Sequence, residues 1–365
     1  MVMTRFLWCA VALLGQPSLL AGSPQTSPRP DPTPVEPVAA LVEAFRTHNL
    51  VALQEPHGNE QVQALLLALI RDPRLPMVAK DIVLESASAR YQDVLDRYVR
   101  GETVPDAVVR RAWEDHTVPN SLGQHASELI QAVRRVNATL PAGQRLRVLA
   151  GDPPIDWDHV MNPEDHRRWI ELRDTYPADL VRRQVLDRGR RALVVYGQGH
   201  LQRAMIEANY ATTSWETQTV MSLVTSDPNV RVFNVFALLR DGNGLPEQAT
   251  RWPVPSLATV RGTNLGARDF ATYQQPLGGQ RVAVRDGTFV PVPKDRWRVV
   301  PLEQQFDALL YLGPPSAFTF VSVPRALCQD GTALAQRLGR MARSSVPPVE
   351  AERLKRACGE EVPRR

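Results

Sequence analysis

The sequence predicts an α/β fold: a mostly parallel central sheet flanked by helices on both faces, with an irregular Gly/Pro-rich insertion in the C-terminal half. Two observations carry that expectation. Short, nearly continuous apolar runs alternate with segments of helical periodicity, as strands buried on both faces do when helical crossovers join them. The chain has 365 residues, 43% of them hydrophobic and 22% charged, which suits one large domain and excludes global disorder. No solenoid-type repeat interrupts the pattern.

Residues 50–53 (Leu-Val-Ala-Leu) read as the first strand. Asn59 is a candidate N-cap for a helix whose apolar positions are Val62, Leu65, Leu66, Leu69 and Ile70. Residues 81–84 form the second strand, followed by a helix through Tyr91, Leu95 and Tyr98 that stops near Gly101. Helical pattern then covers residues 106–115 and 121–140. The third strand is 145–150, and a polar helical stretch, 163–188, is broken at Pro177. The fourth strand is 191–196, with a helical start at Leu201, and a longer fifth strand covers 230–239. Residues 241–298 are rich in Gly, Pro and Thr and are expected to form loops and short strands, as a lid or side wall. A late strand at 306–312 and a helix at 332–341 close a domain spanning 38–343, and a charged tail, 344–365, follows.

The N-terminus reads as an address. Arg5, an apolar run at 6–15 and the small residues Ala21-Gly22-Ser23 have the order of a signal peptide over residues 1–23. The run is too short to anchor in a bilayer, which takes ~20 apolar residues. No integral membrane segment is expected in the mature chain, and no cysteine follows Leu20-Ala21-Gly22 to carry a lipid. Residues 24–37 are a proline-rich tether. The expectation is an exported protein, periplasmic or secreted. Cys9 leaves with the signal, so Cys328 and Cys358 either pair or remain as two free thiols; pairing is the expectation.

Charge excludes one class of partner. The 43 basic and 39 acidic residues nearly balance, and arginine doublets lie scattered among acidic neighbours. A nucleic-acid binder concentrates its cations into a stripe. The expected partner is a small-molecule or peptide substrate.

Ligands of open parallel sheets bind beyond the carboxyl ends of the strands. The first strand runs into Gln54-Glu55-Pro56-His57-Gly58 and the second into Glu85. The third ends at Gly151-Asp152 and the fourth runs into Gly197-Gln198-Gly199-His200. Glu55, His57, Glu85 and His200 are therefore the candidate catalytic residues. Two chemistries fit them. His57, Glu85 and His200 can hold a divalent metal (Mn, Zn or Co) that activates water. A metal-free His–Glu pair can instead act as a general base. Asp152, Asp156 and Asp158 read as turn chemistry beside Pro153-Pro154 and Trp157. His116 is expected at a surface or a cap, and His48, His125, His159 and His166 carry no signal. Gly197-x-Gly199 lacks the third glycine of a dinucleotide loop, having Gln202 there. No Gly-x-Ser-x-Gly elbow, Walker loop, His-Glu-x-x-His or paired Cys-x-x-Cys occurs.

Leu53-Gln-Glu-Pro-His-Gly58, the strand ending at Glu85, and Tyr196-Gly-Gln-Gly-His200 resemble the superfamily that unites erythromycin esterase-like proteins, ChaN-type haem-binding proteins and the Tiki/TraB proteins. The similarity spans roughly residues 45–205. It implies a site built from Glu55, His57, Glu85 and His200. Gln54 stands where glycine is usual, which leaves open a scaffold that has lost activity. Glu55 lies two residues before His57, as in the ChaN and Tiki pattern, not three as in erythromycin esterases, so a macrolide substrate is not implied. The resemblance implies an ester or amide hydrolase, with a haem or other small-ligand binding protein as the alternative.

Overall fold

A computed structural model of the chain describes residues 28–203, 218–238, 247–270, 273, 282–285, 288–291 and 299–359. The expected signal peptide lies outside them, as does much of the expected insertion at 241–298.

The strands are β1 (Pro34–Val35), β2 (Leu50–Gln54), β3 (Asp81–Ser88), β4 (Arg147–Asp152), β5 (Ala192–Tyr196), β6 (Val232–Leu238), β7 (Ser256–Thr259), β8 (Val282–Arg285), β9 (Thr288–Pro291) and β10 (Ala308–Tyr311). Eight of them form one sheet in the order β1-β7-β10-β6-β2-β5-β3-β4, and β8 and β9 pair separately. The run from β10 to β4 is parallel throughout; β7 joins β10, and β1 joins β7, antiparallel. An antiparallel edge on a parallel sheet is a common way to finish such a fold.

Alternation along each central strand fills two cores. Val51, Leu53, Ile82, Leu84, Leu193 and Val195 pack on one face, against helices that include Glu60–Arg71 and Gln124–Asn137. Leu50, Ala52, Val83, Ala192 and Val194 pack on the other, against Thr175–Gln184 and Val220–Val224. Both faces being dry is why these strands read as unbroken apolar runs. Asn59 caps Glu60–Arg71 as its sequence predicts, its side chain accepting from Val62 N at 2.9 Å.

Four differences from the sequence reading matter. β3 does not stop before Glu85 but continues to Ser88, with a register shift against β4 between Leu84 and Ser88. Such an irregularity re-aims side chains without ending the strand. Pro177 does not break its helix. It sits in the first turn of Thr175–Gln184, where an N–H has no intrahelical acceptor, and the interruption falls earlier, at residues 171–174. The proline-rich segment contributes β1 and supplies Pro37 to the first turn of helix Pro37–Ala44, so it is not wholly a tether. The segment read as a charged tail holds a helix, Pro348–Ala357, whose Leu354 packs with Leu334 and Met341.

Cys328 and Cys358 are disulfide-linked, with Cα atoms 5.0 Å apart. The bond closes a helical hairpin whose second helix packs Leu354 and Ala351 into the cluster around Leu334 and Met341. Native protein is expected to show no titratable thiol at either cysteine. For a sequence separation of 30 residues, Cys358→Ser is expected to destabilise the hairpin by about 3–4 kcal/mol through loop entropy. Limited proteolysis after residue 320 is the measurement, and equal resistance in parent and variant would refute it.

Candidate functional site

The first loop is tied to its neighbours before it reaches the site. Glu55 N–H donates to Tyr196 O at 2.9 Å, extending the pairing of β2 with β5 by one residue. Gln54, in the place where glycine is usual, is buried: its Oε1 accepts from Ala237 N at 3.0 Å, and its Nε2 donates to Gln198 Oε1 at 3.4 Å. The amide thus clamps the ends of β6 and β2 and the loop after β5. Gly58 turns the chain at φ +84°, a conformation that disfavours side chains.

Glu55, His57, Glu85 and His200 meet at the carboxyl edge of the sheet. His57 Nδ1 lies 2.9 Å from Glu55 Oε2, and Glu55 Oε1 also accepts from His125 Nδ1 at 3.2 Å and Gly58 N at 3.3 Å. A carboxylate only accepts, so His57 carries a proton on Nδ1. Glu85 takes a guanidinium N–H from Arg173 and the backbone N–H of Gly197. His200 Nε2 stands 3.4 Å from Glu85 Oε1, and His57 Nε2 stands 3.9 Å from the same oxygen. On its far side His200 Nδ1 meets Asp174 Oδ1 at 2.8 Å, and Asp174 also accepts from Val220 N. Position 197 is closely approached: an added Cβ would lie 3.3 Å from Glu85 Oε2 and 3.4 Å from His57 Nε2, so the Glu85 carboxylate would have to give by a few tenths of an ångström.

Burial and charge set the protonation states. Burial works to raise the Glu85 carboxyl, but the positive charges of His200, His57 and Arg173 overcome it and hold the group well below the usual carboxylate range. Burial works to lower His200, and Asp174 and Glu85 outweigh it, lifting His200 to about 9. Two carboxylates on its two nitrogens make it an imidazolium. His57 is raised, chiefly by the charge of Glu85 and then by its bond to Glu55. Glu55 is lowered: the hydrogen bonds from His125 and His57 prevail over burial. Asp152 is pushed up to about 7 by burial, against the pull of Arg173 and Thr117.

Glu55, His57, Glu85, Asp152 and Arg173 line an open cleft of about 250 Å³, whose wall includes His116, Val118, Leu122 and Val321, while His200 stands behind Glu85 and outside the lining. The His57 side chain is 63% exposed and the Glu85 side chain 7%. Nδ1 of His57 is held by Glu55, and Nε2 has no partner at hydrogen-bond distance, Glu85 Oε1 standing 3.9 Å away.

The expected metal set does not fit. Among the described residues no three His, Cys, Asp or Glu side chains are grouped so as to hold an ion. The local reason is that Arg173 occupies Glu85 Oε1, the oxygen a His57–Glu85–His200 centre would need, while His200 uses both nitrogens as donors.

Sequence reasoning missed Arg173, Asp174 and His125. The first two sit in the true break of the 163–188 helical stretch, a signal misassigned to Pro177. His125 lies in the first turn of Gln124–Asn137, where nothing in its sequence marks it. His116 is not a surface residue: it is 2% exposed. Asp152 does more than shape a turn, since it accepts from Thr117 N and Oγ1 in the interior. Asp156 and Asp158 stay in local turn chemistry, Asp156 accepting from Asp158 N and pairing with Arg90 and His159.

No protein-family model matches the sequence, nor does any curated protein. Solved structures do match. A succinoglycan biosynthesis protein gives a TM-score of 0.51 at 10% identity, covering 78% of this chain and 94% of that one. The chain shares its fold with that protein. A Bacillus cereus protein gives a TM-score of 0.47 at 11% identity, covering 78% of this chain and 95% of its own. ChaN of Campylobacter jejuni, described with cofacial haem, gives 0.35 at 12% identity, covering 56% and 86%. At 10% identity the likeness to the succinoglycan biosynthesis protein is one of fold alone. In this chain the fold brings the ends of β2, β3 and β4 to one cleft, with His200, after β5, set behind Glu85.

The His200 assignment has a consequence for stability. Its folded value of about 9 exceeds its ordinary 6.5, so its contribution is complete below pH 6.5 and is lost as pH rises through 9. The loss is on the order of 3 kcal/mol. Asp152, raised from 3.8 to about 7, acts in the same direction in an earlier window. Denaturant midpoints are expected to fall between pH 7 and 10 in the parent and to stay flatter in His200→Gln. Curves of equal slope would contradict the assignment.

Proposed function

We propose that the cleft hydrolyses an ester or amide bond of a small-molecule or peptide substrate, with His57 as a general base toward water and no metal. The observation that carries the reading is the His57 ring. Its Nδ1 is tethered to the Glu55 carboxylate, its side chain is 63% exposed in the cleft lining, and its Nε2 has no hydrogen-bond partner, the nearest carboxylate oxygen, Glu85 Oε1, standing 3.9 Å away. That is the arrangement a base needs: one nitrogen oriented, the other available to take a proton.

The remaining groups suit this chemistry. Glu55, itself held by His125 and Gly58 N–H, fixes the tautomer of His57 and stabilises the imidazolium once it forms. Arg173 and His200 place positive charge beside the cleft, where negative charge develops on the substrate oxygen, and water exclusion strengthens such contacts. Glu85 is too firmly ion-paired to be a base; its work is to hold Arg173 and His200. His57 takes a proton from water as the water adds to the carbonyl carbon, then returns it to the departing oxygen or nitrogen.

A haem-binding role has less support here, because three carboxylates and a guanidinium, those of Glu55, Glu85, Asp152 and Arg173, line the cleft. The disulfide supports export, since such bonds persist in oxidising compartments. No described helix is long and apolar enough to cross a membrane.

In a screen of esters and amides, His57→Ala is expected to reduce turnover ~100-fold or more. Because the side chain is 63% exposed, the variant is expected to fold, its cost confined to the lost partner of Glu55 and the lost charge beside Glu85. His57 is raised above 6.5, so kcat/KM should climb with pH along a limb lying above 6.5. Glu55→Gln removes one source of that rise and should move the limb to lower pH. A His57→Ala protein that turns substrate over at the parent rate would defeat the reading, and unfolding of that variant would make the histidine structural.

A further inference from the structure

Exposure decides which of the charges around the cleft a ligand meets. Three carboxylates line it, yet all stand back from solvent: the Glu55, Glu85 and Asp152 side chains keep 11%, 7% and 2% of their surface. Each is also answered by donors of the protein. Glu55 accepts from His57, His125 and Gly58 N, Glu85 from Arg173 and Gly197 N, and Asp152 from Thr117 N and Oγ1. The cations stand forward, His57 mostly exposed and the Arg173 side chain keeping 19%. The cleft therefore presents cationic groups to a ligand, with its anions set behind them.

Arg173 is only partly committed to the protein. Its Nη2 donates to Glu85 Oε1, and its Nε stands 3.9 Å from Asp152 Oδ1, beyond hydrogen-bond distance. Among the described residues Nε and Nη1 meet no acceptor. Neither is sealed from solvent, unlike the unpartnered Nε2 atoms of His116 and His125 in the same cleft wall. Arg190 shows the other way to pair with a buried carboxylate. It uses Nε and Nη2 on both oxygens of Asp81, at 2.5 and 2.7 Å. Arg173 instead keeps part of its fork for the cleft. His57 Nε2 lies 3.9 Å from the same Glu85 oxygen that Arg173 holds, so the base and the guanidinium flank one point.

We propose that Arg173 binds a carboxylate of the ligand, and that the substrate carries this group next to the bond cleaved, as an N-acyl amino acid or a peptide C-terminus does. A planar guanidinium matches a carboxylate, and hydrogen bonds between the two ions are among the stronger ones. The contact takes up N–H groups that the protein leaves unused. Glu85 holds the guanidinium from behind, so little ordering is left to the ligand. Spacing points to the substrate class. In an N-acyl amino acid a single carbon separates the carboxylate from the amide nitrogen, and here the carboxylate site adjoins the base. The guanidinium's charge still reaches the oxygen on which negative charge develops. The substrate class rests on the hydrolase reading above; the carboxylate site does not.

N-acetylglycine is the probe, and N-acetylglycinamide, which lacks only the carboxylate, is the control. Calorimetric titration of the full chain is made at pH 6, where Asp152, raised to about 7 by burial, is largely protonated. The acid is expected to bind at least about tenfold more tightly than the amide, since a polar site rejects an analogue that leaves it unpaired. In protein labelled with ¹⁵N-arginine, the Arg173 Nε–H resonance, assigned through its backbone, should move with the acid and not with the amide. Arg173→Met should erase the preference. If stripping Glu85 of this partner keeps that variant from folding, Arg173→Lys and the resonance of the unaltered protein decide. Arg173→Lys, which keeps the charge without the fork, should weaken the acid about threefold or more and leave the amide as it was. No preference for the acid, an Arg173 resonance blind to it, or a preference intact in a folded Arg173→Met would overturn the site. Turnover separates the two claims. N-acetylglycine bound through Arg173 by a protein inert to every ester and amide defeats hydrolysis alone. Turnover of neutral esters and amides with no preference for N-acyl amino acids defeats the substrate class alone.

Discussion

A single buried carboxylate organises the site. Glu85 lies inside β3, where the register against β4 slips, and its two oxygens collect Arg173, Gly197 N–H and His200, with His57 just beyond contact. Those partners come from three separate pieces of chain: the loop at 171–174, the turn after β5 and the loop after β2. A lone carboxylate in a dry interior would protonate; this one stays charged because the cations around it outweigh its desolvation. The converse also holds, since Arg173 and His200 are tolerable indoors only beside Glu85 and Asp174. Removing one member leaves the others uncompensated, which is the expensive way to break a buried ionic network.

The sheet makes the network possible at little cost to itself. Central strands packed dry on both faces give a rigid frame, and their ends leave polar residues no exit but the carboxyl edge. Rigidity is what a base and its donors need, because a displacement of an ångström at such a site costs orders of magnitude in rate. The C-terminal hairpin adds a second brace. Arg337 donates to the Pro119 and Ser121 carbonyls and Arg340 to Asp115, so the cleft wall is held from outside the sheet. The disulfide between Cys328 and Cys358 ties the ends of that hairpin together.

Much of the frame was legible in the sequence because dry strands and amphipathic helices write periodic patterns. The strand ends were legible for the same reason: Glu55, His57, Glu85 and His200 each follow or finish an apolar run. Arg173 and Asp174 were not, because a helix break between two polar helices leaves no apolar mark, and Pro177 offered a stronger but false signal. His125 and His116 reach the cleft through tertiary packing of helices Gln124–Asn137 and Asp106–Glu114, and neither spacing nor neighbours encode that. The β1 edge was hidden by prolines, which suit an edge strand because no ladder bond is demanded of them.

The account stands on Glu85 being ionised within its cluster of cations. The direct measurement is the ¹³Cδ chemical shift of Glu85, assigned by its loss in Glu85→Gln and followed from pH 7 down to pH 4. The account predicts a carboxylate shift that does not move through the ordinary midpoint of 4.5. A Glu85 signal that titrates at or above 4.5 would show the carboxylate unpaired, and the arrangement of Arg173, His200 and His57 around it would be wrong.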